Sequence, residues 1–89
     1  MKRLVAPAAL VLLAASVPVR AAAHQAEDEL AFGVGVARKG LWQEARFRFE
    51  RALALSPDDP SALNDLAIAL EQQGDFDKAR AAYQKALQL

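Results

Sequence analysis

The stretch LAFGVGVARKGLWQEARFRFERALAL, residues 30–55, decides the fold once it is laid over NDLAIALEQQGDFDKARAAYQKALQL, residues 64–89. At this offset of 34 residues Phe32 falls on Leu66, Gly33 on Ala67, Val36 on Leu70 and Gly40 on Gly74. Farther along, Trp42 meets Phe76, Ala45 meets Ala79, Phe49 meets Tyr83, Ala52 meets Ala86, Leu53 meets Leu87 and Leu55 meets Leu89. Two unrelated amphipathic helices share a 3.6-residue period, but not glycine, aromatic and alanine in one register. The chain is an internal repeat.

Each unit reads as helix, tight turn, helix. Leu30, Phe32, Gly33, Val36 and Ala37 recur at steps of three and four, as do Leu63, Leu66, Ala67 and Leu70. The second half of each unit repeats the spacing with Trp42, Ala45, Phe49, Ala52 and Leu53, and again with Phe76, Ala79, Tyr83, Ala86 and Leu87. Gly40 and Gly74 stand between the halves, where glycine ends a helix in the left-handed conformation. Asp75 is placed to cap the helix that follows. Between units, Pro57 stops one helix, while Asp59 and Pro60 offer an N-cap and a first-turn proline to the next. The spacing predicts helices over Ala26–Lys39, Trp42–Leu55, Pro60–Gln73 and Phe76–Leu89. Gly35 sits inside the first of them, where it costs about 1 kcal/mol relative to Ala and has no evident role in the sequence.

These residues resemble the tetratricopeptide repeat, a helix-turn-helix unit of the same period. The first unit supplies Phe32-Gly33, Val36, Gly40, Trp42, Ala45, Phe49, Ala52 and Pro57; the second supplies Leu66-Ala67, Leu70, Gly74, Phe76, Ala79, Tyr83 and Ala86. Gly33, Ala45, Ala67 and Ala79 are the small residues that let paired helices close, with Phe32, Leu66, Phe49 and Tyr83 filling the space beside them. Glu29 departs from the pattern, standing where the motif often has an aromatic. The resemblance implies an all-α chain of two tandem repeats, four antiparallel helices, with units at about residues 26–59 and 60–89.

The resemblance also implies a scaffold that binds a protein or peptide in the groove lined by the first helix of each unit. The groove-facing candidates are Leu30, Val34, Ala37 and Arg38 from the first unit and Asn64, Ile68, Glu71 and Gln72 from the second. One subgroup of the family grips a C-terminal carboxylate with Lys, Asn and Arg on these helices. Only Asn64 and Arg38 have that chemistry here, so a carboxylate clamp is a poor fit. A mixed apolar and amide groove suits an extended peptide or a helix with apolar anchors. The alternative is a structural module whose repeats pack on second copies of the chain.

The start of the chain reads as an address. Lys2 and Arg3 precede an apolar run from Leu4 to Ala15, followed by Pro18 and the cluster Ala21-Ala22-Ala23. A basic head, an apolar centre and a small-residue end are the parts of a secretory signal peptide. The run is shorter than the ~20 residues a membrane span needs, and Pro7, Pro18 and Arg20 interrupt it. The expectation is a leader over residues 1–23, cleaved after Ala23, and a mature chain from His24 to Leu89 in the periplasm or outside the cell, touching membrane only during export. Three of the 11 basic residues lie in this leader, so the remaining eight face all 11 acidic ones. That balance argues against a nucleic-acid binder.

Catalytic chemistry is sparse. Among 89 residues there is no cysteine and one histidine, and no glycine-rich phosphate loop. The expectation is therefore no enzyme, no cofactor and no metal. Asp58, Asp59, Asp75 and Asp77 lack the alternating oxygen spacing of a calcium loop and read as capping residues. Arg46, Arg48 and Arg51 lie near Glu44 and Glu50 and read as a salt-laced solvated face rather than an anion site. Cleavage after Ala21 would expose Ala22-Ala23-His24, a square-planar nitrogen set for Cu(II) or Ni(II); cleavage after Ala23 removes it.

Overall fold

The computed structural model describes residues 18–89, which form four helices and no strand. These are α1 (Val19–Arg38), α2 (Trp42–Leu55), α3 (Pro60–Gln72) and α4 (Phe76–Leu87). α1 packs along α2, α3 along α4 and α2 against α3, while α1 and α3 touch only lightly. That is the tandem helix-turn-helix order expected from the repeat. The basic head and the apolar run of the expected leader lie outside the described residues.

The start of α1 differs from expectation. The helix begins at Val19, not Ala26, and runs unbroken through Ala21-Ala22-Ala23. Alanine has the highest helix propensity. Pro18 sits just ahead at φ −56°, and its carbonyl accepts the Ala22 N–H at 3.0 Å. The period could not reveal this turn, because the apolar pattern that marks the repeat begins only at Leu30.

Both intra-unit turns close on glycine. Gly40 has φ +78° and Gly74 φ +81°. The Leu41 N–H donates to the Val36 carbonyl at 3.1 Å and Gly40 N–H to Ala37 at 2.9 Å; Asp75 to Leu70 and Gly74 to Glu71, both at 2.9 Å, repeat the arrangement. This paired bonding satisfies the last carbonyls of α1 and α3. Asp59 caps α3 as its sequence context predicts, accepting from the Ser61 N–H at 2.9 Å and the Ala62 N–H at 3.4 Å. Asp75 does not cap α4. Its carboxylate lies 3.8 Å from Lys78 Nζ on α4 and 3.9 Å from Arg46 on α2 instead.

Two clusters make up the core. Ala45, Phe49 and Ala69 join α2 to α3, with Leu30, Val34, Val36, Ala37, Trp42 and Leu66 packed around them. Ala67, Leu70, Ala79 and Ala82 join α3 to α4, flanked by Leu66 and Tyr83. Alanine at the crossings brings the helix axes close, and Leu66 ties the clusters together. Phe32 departs from its expected role as a filler. It is 50% exposed, whereas its repeat partner Leu66 is covered by α2. Among the described residues no helix lies on the outer side of α1, and the Arg48 guanidinium covers the Phe32 ring instead, 4.1 Å from its centroid.

Candidate functional site

A shallow cavity of about 200 Å³ opens where α1, α2 and α3 meet, lined by Val34, Ala37, Arg38, Trp42, Phe49, Asp65 and Ile68. Helical spacing builds it. Val34, Ala37 and Arg38 lie at steps of three and four on α1, and Asp65 and Ile68 are three apart on α3, so each set shares one face. Trp42 reaches it because the Gly40 turn places the start of α2 directly beside the end of α1. Val34 and Trp42 are half-buried, and Ile68 is 41% exposed.

Four of the eight residues expected in the groove line this cavity: Val34, Ala37, Arg38 and Ile68. Leu30 instead packs against the Ala45–Phe49–Ala69 cluster. Asn64 and Gln72 are exposed on α3 outside the cavity lining. Glu71 is engaged on α4, accepting the Tyr83 hydroxyl at 2.7 Å, a bond that also raises the Tyr83 pKa. Three lining residues, Trp42, Phe49 and Asp65, escaped sequence reasoning. The repeat pattern accounts for the two aromatics by helix packing alone. Asp65 was legible, since stepping back three positions from Ile68 reaches it.

Asp65 is the charged group most affected by this setting. Burial, and secondarily the charge of Asp59, push its carboxyl above the ordinary aspartate range. Among the described residues no cation lies within 4.0 Å of it.

The arginines of α2 are matched by carboxylates. Glu29 accepts from Arg51 Nε at 2.7 Å and from Arg48 at 3.1 Å, while Arg48 Nε also donates to Glu44 at 2.9 Å. Arg46 pairs with Glu50 at 3.1 Å. The arginine run is thus a salt-laced face, as its spacing predicts, but its hub is Glu29 from the neighbouring helix. Arg51 and then Arg48 hold the Glu29 carboxyl below its ordinary value. This network lines a larger concavity of about 570 Å³ over Phe32, Ala54 and Leu55, whose two arginines already have carboxylate partners. Among the described residues no three His, Cys, Asp or Glu side chains converge to hold a metal, and no described helix is long and apolar enough to cross a membrane.

The tetratricopeptide repeat family model matches residues 30–89, spanning all but the first eleven residues of α1 and the whole of α2, α3 and α4. The chain belongs to the tetratricopeptide repeat family. Tetratricopeptide repeats are generally protein–protein interaction modules, and the family is typically a non-catalytic scaffold. The cavity at α1, α2 and α3 lies on the face that the first helices of the two tetratricopeptide units share.

Proposed function

We propose that this chain is a non-catalytic adaptor of the cell envelope, exported on a cleaved leader, that holds a peptide or protein segment in the groove between α1 and α3. The observation supporting the reading is an open apolar surface, Val34, Trp42 and Ile68, on a repeat scaffold where the first helices of the two units meet. At about 200 Å³ the cavity is smaller than the roughly 300–1,000 Å³ of small-molecule sites, which suits a side chain of a longer segment. A photoreactive amino acid at position 34 or 68 should cross-link to another polypeptide in envelope extracts, and one at position 78 on α4 should not. Equal labelling from all three positions would defeat the groove reading. Mass spectrometry of the cell-derived protein tests export: the expected chain begins at His24, and an intact Met1 on a cytoplasmic protein would overturn it.

A second reading rests on α4. Phe76 is 62% exposed and Leu87 is 87% exposed, whereas Trp42, the repeat partner of Phe76, packs against the α2–α3 core. On this reading the chain self-associates through α4. Sedimentation over a hundredfold range of concentration distinguishes the two, and a monomer throughout excludes self-association.

A further inference from the structure

Resting on the groove reading, we propose that Asp65 makes the site selective for a cationic side chain, a lysine or arginine of the bound segment. Its aliphatic stem lies on Trp42 and Ile68 and its charged head pairs with the carboxylate.

The chemistry follows from what the cavity holds. Its volume of about 200 Å³ equals the liquid share of roughly six or seven waters, enough for one long side chain. Most of its lining is apolar, with Asp65 as the acceptor. A lysine or arginine is apolar along its stem and charged at its tip, and buries the first while pairing the second. Trp42 adds an aromatic face that attracts cations. Asp65 is half-buried without a cationic partner among the described residues, unlike Glu29, which has two. Burial already disfavours its charged form, so an arriving cation relieves a penalty present in the free protein. Arg38 lines the same cavity but is exposed and makes no ion pair with Asp65. It repels a second cation at one rim and so favours a segment whose positive charge enters on the α3 side. The exposed amide Asn64, next to Asp65, offers hydrogen bonds to a segment lying along that side.

Trp42 is the only tryptophan in the chain, so its fluorescence reports on this cavity. The 89-residue protein is titrated with nonapeptides acetylated and amidated at their ends, of leucine, alanine and serine, with Lys, Arg, Gln or Glu at the central position. The Lys and Arg peptides should bind about fivefold tighter than the Gln peptide, the scale of a partly exposed ion pair, and the Glu peptide weakest. Asp65→Asn should abolish the preference, so that the Lys, Arg and Gln peptides bind alike. Asp65→Glu should retain it, which keeps the test decisive if the Asn variant loses helical circular dichroism. Asp77→Asn, which removes the same charge from α4, should change nothing. Equal binding of Lys and Gln peptides, or a preference that survives Asp65→Asn, overturns the role of Asp65 and leaves the groove reading standing. A Trp42 signal unmoved by every peptide overturns both.

Discussion

A Cβ atom placed on Gly33 would lie 2.5 Å from Cε1 and 2.7 Å from Cδ1 of Phe49, inside any distance that real Cβ atoms keep. α1 can therefore approach α2 only because residue 33 has no side chain. Phe49, on α2, is 2% exposed and held between α1 and α3, so its ring has nowhere to swing. Gly33→Ala should destabilise the chain by up to about 2 kcal/mol, since overpacking of about 1–3 kcal/mol outweighs the roughly 1 kcal/mol of helix propensity gained. Gly35, two residues on in the same helix, has no atom within 4 Å of an added Cβ. Gly35→Ala should stabilise by about 0.5–1 kcal/mol through propensity alone. Denaturant midpoints of the two variants should move in opposite directions; shifts of the same sign would refute the packing argument.

Ala79 is one of the small residues at the helix crossing of the second unit. It is buried with Ala67, Leu70 and Ala82 where α3 and α4 cross. Ala79→Leu adds three carbons there and should cost about 1–3 kcal/mol. An unchanged thermal midpoint would mean that the crossing lies elsewhere.

Acid sensitivity should centre on Glu29. The two arginines lower its pKa from the ordinary 4.5. As pH falls through 4.5 toward the lowered value, the unfolded chain takes up the proton first. The stabilisation from Glu29 is thus complete at neutral pH, declines across that window and is gone below the folded-state pKa. Glu29→Gln should therefore show a shallower loss of stability on acidification than the parent chain. Parallel stability curves for the two proteins over the same acid range would exclude Glu29 as the hub.

The two aspartates ahead of helices should behave differently. Asp59 accepts from two backbone N–H groups of α3, and Asp59→Ala should cost about 1 kcal/mol. Asp75 accepts none, and its contacts with Lys78 and Arg46, at 3.8 and 3.9 Å, are long. Asp75→Ala should stay within about 0.5 kcal/mol. Equal losses in the two variants would contradict the capping geometry.

The sequence by itself determined the all-α fold, the two units and their turns. Those features follow from local rules: a 3.6-residue apolar period, glycine where φ must be positive at Gly40 and Gly74, and Asp59-Pro60 at a helix start. It also marked Gly33 and the alanines as points of close approach, because repetition in register exposes what packing demands. Tertiary structure alone decided which groove positions share one cavity, sending Leu30 into the core and Glu71 to Tyr83 while admitting Trp42, Phe49 and Asp65. It likewise joined Glu29 to Arg48 and Arg51, which lie 19 and 22 residues away along the chain. Such pairings depend on the angle and depth at which helices cross. A period specifies which face of a helix is apolar, but the partner that face meets is set by the packing of all four helices together.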